Sequence, residues 1–438
     1  IAPQIIFGAM GAKGKLPVSI DDEFKVNDGI ETLEIKRLGF TIPENVGMNS
    51  KVLTKIDSIA NYAISKKMTP GLQVVVARKG KVIYQKSFGN HTYESTQKVN
   101  NTDVYDIASL TKIVATLPNV MQEFDQGHLT LETKLKTMLP EAKNSNKANA
   151  TVLDMLTHQA RFQPWIPFYK ATLDSLNRPS THFYRSEFSD EFPVHVADKL
   201  YLRKNYNDTI VKTILDSELL PKKQYKYSDF TFILFKEYLE LHNKKSLEDL
   251  AHANFFEPLG ANSIMYNPLR KMNANRIIPT ENDNYFRHQI VQGYVHDMAA
   301  AMQGGISGHA GLFANALDVA KVMQMYLQKG SYGGRTYISE STFNIFNTCY
   351  FCKDGNRRGV GFDKPQLGNE GPTCGCVSLT SFGHTGFTGT MTWADPEKEI
   401  VYVFLSNRTF PDSNATNKLS KENIRENIQK LIYEAIIE

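Results

Sequence analysis

The sequence predicts an α+β protein in which one antiparallel sheet, flanked by helices, joins a mostly helical lobe. Strand-like segments separated by tight turns lie near both ends of the chain, at residues 72–88 and 390–406. The region from about 120 to 300 is dominated by helix-like patterns and long loops. We therefore expect the two chain ends to build the sheet together and the middle of the chain to form the second lobe.

The elements follow in order along the chain. An amphipathic helix is predicted first, because apolar residues recur at three- and four-residue spacing between 53 and 64. Two strands at 72–77 and 82–88 then flank a tight turn, and two more at 390–394 and 400–406 flank a second turn. A closing helix is predicted from the apolar positions Ile424, Ile428, Leu431, Ile432, Ala435 and Ile436.

Composition narrows the class of protein. The chain has 438 residues, 41% of them hydrophobic and 22% charged, which is ordinary for a globular protein. Its formal net charge of +4 is small for this length and does not indicate a nucleic-acid-binding protein. No apolar run approaches the ~18 residues that span a bilayer. Since the chain begins at Ile1 without a charged and apolar leader, we expect a processed product whose export signal is no longer visible.

All four cysteines fall in one short region, as Cys349-x-x-Cys352 and Cys374-x-Cys376. Two such pairs are compatible with a four-thiolate zinc site, with disulfides in an oxidising compartment, or with free thiols in a surface loop. The Cys-x-Cys spacing is unusual for zinc, and no histidine completes a finger pattern. The prediction is that the protein has no metal and no cofactor, with the four cysteines as the one alternative zinc set.

Ser109-Leu110-Thr111-Lys112 is the stretch most informative about function. Residues three apart share a helix face, so Lys112 lies where it can help to remove the proton of Ser109. An unassisted serine is a poor nucleophile near neutral pH and needs such a neighbour. At a helix start, the N–H of Ser109 is also available as half of an oxyanion hole.

Two further motifs follow in the chain, Tyr227-Ser228-Asp229 and His384-Thr385-Gly386. In this order, Ser-x-x-Lys, Tyr-Ser-Asp and His-Thr-Gly resemble the serine beta-lactamase and penicillin-binding-protein-like hydrolase superfamily. The resemblance covers roughly residues 46–438 and is greatest to the class C-like branch, which includes family VIII esterases and DD-peptidases. It implies a beta-lactamase/transpeptidase-like fold with the active site between the two lobes.

The resemblance gives each motif residue a role. Ser109 is the nucleophile, and Lys112 and Tyr227 act as a coupled acid/base pair, with Tyr227 protonating the leaving group. Which of the two takes the first proton is left open. His384, Thr385 and Gly386 are expected on an edge strand facing Ser109. The N–H of Phe387 is then the second oxyanion donor.

Two positions depart from the pattern of many relatives. Asp229 replaces an asparagine, so we expect a carboxylate that holds Lys112 protonated and repels an anionic substrate group. His384 replaces a lysine, so a permanent cation is lost, and His384 is expected to supply charge only below roughly pH 6.5. The change at Asp229 counts against efficient beta-lactam hydrolysis, and the change at His384 weakens the usual hold on a substrate carboxylate.

Residues 1–45 do not fit this pattern. Ile5-Ile6-Phe7-Gly8 and the later Gly14-Lys15-Leu16-Pro17 resemble the C-terminal tail of family 3 glycoside hydrolases, in which a strand precedes a Gly-x-Leu-Pro segment. The resemblance implies that residues 1–45 are the tail and linker of an upstream glycosidase-like domain. No glycosidase carboxylate is assignable within this chain.

The predicted function is a serine hydrolase, either a peptidase/amidase or an esterase, acting on cell-wall-derived substrates through an acyl-enzyme on Ser109. The alternatives are a promiscuous carboxylesterase with weak beta-lactamase activity and a non-catalytic muropeptide-binding module. The expected partners are a small-molecule, peptide or muropeptide substrate and a covalently joined upstream glycosidase, with no nucleic acid and no membrane span. By resemblance, the protein is expected to be exported to the bacterial periplasm or cell envelope.

Overall fold

The main sheet has six strands and draws on both ends of the chain, as the sequence predicts. The protein is described here from a computed structural model covering residues 1–369 and 371–437. The strands are β1 Gly39–Phe40, β2 Gly71–Arg78, β3 Lys81–Gly89, β4 Phe382–Thr385, β5 Met391–Asp395 and β6 Ile400–Ser406. Their order is β1-β3-β2-β6-β5-β4. Only the short β1 pairs in parallel, with β3, and the predicted α+β class is confirmed.

The central pair of strands explains why the two chain ends meet. Strands β2 and β6 are buried along their whole length and pair with each other in register, with Val75 opposite Val403. At the β2–β3 turn, Lys79 and Gly80 take φ values of +50° and +71°. Positive φ at both turn residues matches the right-handed twist of the paired strands, so the turn makes a tight hairpin.

Helices cover both faces of this sheet. On one face, α1 (Lys55–Ser65) and α8 (Ile424–Glu434) pack against side chains such as Val74 and Val76. On the other face, α6 (Ala316–Leu327) packs against the alternate side chains of β2. The period of two along a strand therefore divides the core into two layers.

The second lobe contains most of the remaining helices. These include α2 Leu117–Asp125, α3 Tyr206–Asp216, α4 Phe230–Asn243 and α5 Met298–Met302, and α7 Glu340–Asn347 lies between α6 and β4. Shorter helices are Ser50–Leu53, Leu135–Met138, Val152–Leu156, Leu247–Ala251, Glu257–Leu259 and Lys418–Lys421.

Short strands also occur outside the main sheet, and the helical pattern did not reveal them. A three-stranded sheet inside the helical lobe is formed by Tyr184–Arg185, Leu200–Leu202 and Val194–Ala197. Its strands are too short for a periodic signal, and stacking of the His195 and Tyr201 rings at 4.5 Å supports the pairing. The other short strands are Tyr105–Asp106, Met265–Tyr266, Leu312–Ala314, Glu281–Asp283, Gln289–Val291, Ser331–Tyr332 and Arg335–Thr336.

The beginning of the chain differs from expectation. Residues 5–8 were expected to form a strand, but Ala2–Ile6 is a short helix with proline in its first turn. Proline suits that position because its missing N–H has no partner there in any helix. The backbone bonds locally, as from Phe7 N–H to the Pro3 carbonyl at 3.0 Å, and no strand among the described residues is paired with it. The side chains of Ile6 and Phe7 are exposed.

The four cysteines form two disulfides, Cys349–Cys352 and Cys374–Cys376. The alternative of a four-thiolate zinc site is therefore wrong, because zinc binds thiolates and every sulfur here is already bonded to another. Disulfide formation was among the alternatives that the sequence left open. Within residues 1–369 and 371–437, no helix combines the length and apolar character needed to cross a bilayer.

Candidate active site

Ser109 lies where a 3₁₀ turn, Ala108–Leu110, leads through a π-helical turn, Lys112–Thr116, into α2. The buried Asp106 fixes this geometry, because its carboxylate accepts hydrogen bonds from Ala108 N–H at 2.8 Å and from His296 N–H at 2.6 Å. Ala108 has φ +48°, which is uncommon for a residue with a side chain. Such strained backbone next to a π-turn is frequent at functional sites.

Lys112 is fully buried and makes three polar contacts with its ammonium group. The Nζ atom donates to Ser109 Oγ at 2.9 Å and to the His309 carbonyl at 3.0 Å, and lies 2.7 Å from Asp229 Oδ1. Burial acts to lower the pKa of Lys112, but the charges of Asp229 and Tyr227 outweigh it and raise the pKa. Lys112 is therefore protonated in the resting site.

The Tyr227 hydroxyl donates to the same Ser109 Oγ at 3.2 Å. Burial raises the pKa of Tyr227, with a further contribution from Asp229, although Lys112 acts in the opposite direction. Two donors thus meet at one serine oxygen, and both belong to groups that hold their protons firmly. Because the two groups share Ser109 and Asp229, they titrate as a coupled pair.

The loop after β4 approaches Ser109 from the other side. A Cβ on Gly386 would lie 2.9 Å from the Ile107 carbonyl and would collide with the Thr390 hydroxyl, so this close approach needs glycine. Within the described residues, neither Ser109 N–H nor Phe387 N–H has a hydrogen-bond acceptor. Two free N–H groups are what an oxyanion hole requires.

His384 is buried at the end of β4, and its Nδ1 lies 2.7 Å from the Thr385 carbonyl oxygen. Since a carbonyl only accepts, Nδ1 carries the proton. Burial, followed by the charges of Arg358 and Lys112, holds the pKa of His384 well below its ordinary value. His384 is thus neutral at physiological pH, and the expectation that it becomes a cation below roughly pH 6.5 is wrong.

The predicted site residues come together around one cavity of about 970 Å³. Its lining includes Ser109, Tyr227, Asp229, His384, Thr385, Gly386 and Phe387. Lys112 is the exception, since its side chain is enclosed and reaches the cavity only through Ser109. Of the four aromatic residues shortly after Leu156-Thr157-His158, Trp165 and Tyr169 line the cavity, whereas Phe162 and Phe168 are packed in the core.

Four arginines that the sequence did not single out as site residues also line the cavity, Arg357, Arg358, Arg408 and Arg425. Burial and the neighbouring arginine lower the pKa of Arg357 and of Arg408 to about 10 each, which leaves both charged at neutral pH. Arg358 donates to the Tyr225 hydroxyl from Nε and Nη2, while its buried Nη1 has no partner among the described residues. Arg357 and Arg358 pair with Asp363 and Arg425 with Glu426, and Asp229 and Asp297 also line the cavity, so its wall carries charges of both signs.

Two histidines that the sequence indicates to be ordinary structural residues, His158 and His309, also contact the site residues. The His158 ring lies 4.6 Å from the Tyr227 ring, and its Nδ1 accepts from Ser228 N–H at 3.2 Å. His309 contacts Asp297 at 2.8 Å through Nε2, and its carbonyl is the one that holds Lys112. His158, His309 and Arg408 lie in segments that resemble the family, Leu156-Thr157-His158, Gly308-His309-Ala310 and Leu405-Ser406-Asn407-Arg408, whereas no local pattern distinguishes the other three arginines from solvated residues.

Comparison with known proteins is consistent with this geometry. The sequence model of one family, described as Beta-lactamase, matches residues 60–423. The chain belongs to the beta-lactamase family. This family is one of serine hydrolases. The placement in its class C-like branch stays a prediction.

Relatives within the beta-lactamase family carry several activities in their names. A putative D-alanyl-D-alanine carboxypeptidase of Escherichia coli (strain K12) is 26% identical over 394 residues, covering 84% of each chain. An N-acetylmuramyl-L-alanine amidase of Bacillus subtilis (strain 168) is 27% identical over 395 residues, covering 83% of each. The solved structure of EstCE1, a hydrolase with promiscuous acyltransferase activity, has a TM-score of 0.64 at 16% identity. It covers 87% of this chain and 99% of its own, and it supports the fold alone.

Proposed function

We propose that this protein is a serine hydrolase that forms an acyl-enzyme on Ser109 and acts on peptide, amide or ester bonds of cell-wall-derived substrates. The observation that carries the proposal is the convergence of Lys112 Nζ and Tyr227 Oη on one serine oxygen, at 2.9 and 3.2 Å. A serine held by two such groups beside a cavity has the neighbours that an activated nucleophile needs.

In the acylation step, Ser109 Oγ bonds to the substrate carbonyl carbon while its proton passes to the pair of Lys112 and Tyr227. Both members are protonated at rest, so the active form is the one in which the pair has lost one proton. The negative charge that develops on the carbonyl oxygen is stabilised by Ser109 N–H and Phe387 N–H. Tyr227 then returns the proton to the leaving group as the carbonyl–leaving-group bond breaks.

In the deacylation step, water attacks the ester on Ser109 and gives its proton to the same pair. Ser109 Oγ leaves with a proton, which restores the starting state. The Asp229 carboxylate lies 2.7 Å from Lys112 Nζ, so it orients the ammonium group towards Ser109.

The substrate class follows from charge and from the relatives. Arg357 and Arg358 pair with Asp363, and Arg425 pairs with Glu426. Within the described residues, Arg408 is the cavity arginine with no carboxylate oxygen within 4.0 Å, so it is the one available to a substrate carboxylate. Muropeptides carry such groups, and two of the relatives are named for bonds in this material. A peptidase or amidase acting on anionic peptidoglycan fragments is therefore the form of the proposal that these observations favour.

Location and an upstream partner belong to the same proposal. Action on peptidoglycan fragments and two disulfides both suit an exported protein of the cell envelope. For residues 1–45, we propose the tail and linker of a glycosidase-like domain. The side chains of Ile6, Phe7, Val18 and Phe24 are apolar and exposed, which supports the proposal that this segment packs against an upstream domain.

The test is the intact mass of the protein after incubation with a fluorophosphonate probe and, separately, with a penicillin. We expect a stoichiometric adduct that is lost in Ser109→Ala and kept in Ser413→Ala, which removes another serine of the cavity wall. Labelling by penicillin as well as by the probe supports the peptidase form, whereas labelling by the probe alone supports an esterase. No adduct with either reagent would overturn the catalytic proposal and favour the muropeptide-binding module.

A further inference from the structure

Three side chains distant from the candidate active site bring their donor atoms together. Glu123 Oε2 lies 2.9 Å from His128 Nδ1 and 3.4 Å from His242 Nε2, and the two nitrogens are 3.2 Å apart. In a tetrahedral zinc site with bonds of 2.0–2.1 Å, two ligand atoms are about 3.3 Å apart. The three atoms therefore already have the spacing of one face of a metal tetrahedron.

The Glu123 carboxylate is held in place and lacks a permanent counter-charge. It is almost fully buried, with 5% of its side chain exposed, and within the described residues no lysine or arginine nitrogen lies within 4.0 Å of it. Asn243 Nδ2 donates to its Oε1 at 2.9 Å, and the Tyr238 hydroxyl lies 3.4 Å from Oε2. A buried carboxylate needs a positive partner, and outer hydrogen bonds of this kind orient metal ligands.

The position in the fold also favours a cation. Glu123 lies in the last turn of α2 and His242 in the last turn of α4, so the negative ends of two helix dipoles point to one place. His128 follows α2 directly, and its N–H bonds to the Glu123 carbonyl at 2.9 Å. These local bonds bring the imidazole back onto the carboxylate.

We propose that Glu123, His128 and His242 bind one divalent first-row transition-metal ion of the zinc class. Two imidazole nitrogens and one carboxylate oxygen select such ions over Ca²⁺ and Mg²⁺, which take oxygen ligands. The histidine side chains are 43% and 39% exposed, so water has access to the fourth coordination position. This site is independent of the proposed hydrolase function.

The ion would link the C-terminal ends of α2 and α4, two helices whose N-terminal ends adjoin the active site. Helix α2 continues from the turn that carries Ser109 and Lys112, and α4 begins directly after Asp229. His242 lies 13 residues after Asp229, which places the metal about 20 Å along the helix from that carboxylate. The site joins the far ends of the two helices, so its role is to stabilise their packing.

The experiment uses the full chain. Its metal is first removed with a chelator, and the chelator is then removed by dialysis against metal-free buffer. Bound zinc is measured by elemental analysis after equilibrium dialysis, Co²⁺ binding by visible absorption, and stability by thermal unfolding with and without Zn²⁺. We expect one equivalent of zinc, the strong visible bands of tetrahedral Co²⁺, a higher Tm with Zn²⁺, and no Tm shift with Ca²⁺ or Mg²⁺.

The variants His128→Ala and His242→Ala are expected to weaken zinc binding at least about tenfold and to remove the Tm shift. His252→Ala is the matched control, because it removes an exposed histidine whose nearest carboxylate, on Glu257, lies 4.0 Å away. Zinc bound equally tightly by wild type and both variants would overturn the proposal, as would Co²⁺ without tetrahedral bands on the wild-type protein. The wild-type Co²⁺ spectrum decides the question even if a variant fails to fold.

Discussion

Replacing Asp229 by asparagine tests whether Lys112 and Tyr227 form the proton-accepting pair. The substitution keeps the shape of the side chain and removes one negative charge 2.7 Å from Lys112 Nζ. That charge raises the pKa of both Lys112 and Tyr227. Without it the pair loses its proton more easily, so the acidic limb of the kcat/KM profile is expected to move to lower pH.

The size of the effect follows from Coulomb's law. Two unit charges 2.7 Å apart interact with about 1.5 kcal/mol in water and about 6 kcal/mol at an effective dielectric constant of 20. Lys112 is fully buried and Asp229 keeps only 18% of its side chain exposed, so the figure for water is a lower bound. Since about 1.4 kcal/mol corresponds to tenfold, the active form should become at least about tenfold more abundant at a pH below the wild-type limb.

The assay is kcat/KM against pH for a chromogenic ester or amide, with each variant normalised to its own plateau. This separates the shift of the limb from any loss of rate caused by poorer orientation of Lys112. Asp216→Asn is the control, because it removes the same charge from an exposed ion pair with Lys212. An Asp229→Asn enzyme that is active with an unmoved acidic limb would refute the assignment of the pair as the base.

Two further predictions concern packing and pH. Gly386→Ala should destabilise the protein by about 1–3 kcal/mol in chemical denaturation and lower kcat, because the added Cβ meets the backbone just before Ser109. The control Gly14→Ala, with open space around the added Cβ, should do neither. An unchanged kcat in Gly386→Ala would show that this contact does not position the nucleophile. Burial acts to raise the pKa of Glu281, but the contact with His296 lowers it to about 2. A lowered carboxyl pKa adds stability above about pH 4.5 that is lost as pH falls towards 2. Glu281→Gln should therefore lower the free energy of unfolding by up to about 3 kcal/mol at pH 6 and make it depend less on acid pH. The control Glu132→Gln, at an exposed position, should change neither the free energy of unfolding nor its dependence on pH.

Local spacing was enough to predict much of the site. Ser109 and Lys112 are three residues apart, so any helical backbone brings their side chains together. The strands near both chain ends were equally readable, because a continuous apolar run bounded by turn residues indicates a strand covered on both faces. The family resemblance then joined Tyr227 and His384 to Ser109 across the chain, and the structure places all of them at one cavity.

Other features depended on local competition that the pattern did not reveal. The apolar residues at 5–8 were predicted to form a strand, yet Pro3 and local hydrogen bonds favour a helix, and no strand in the described part of the chain is paired with them. His384 read as a pH-dependent cation, yet burial beside Arg358 and Lys112 keeps it neutral. In both cases the residue type was informative, but its surroundings decided the outcome.

The sequence by itself determined four of the six strands of the main sheet (β2, β3, β5 and β6), helices α1 and α8, and the identity of the Ser109–Lys112 pair, because these depend on neighbours within a few residues. Only the tertiary structure decided which arginines line the cavity, that the cysteines pair as disulfides, and that His128 meets His242 across 114 positions. Such contacts arise from how helices pack against one another. No spacing in the chain encodes them, since the connecting segments are free to take many paths before the core forms.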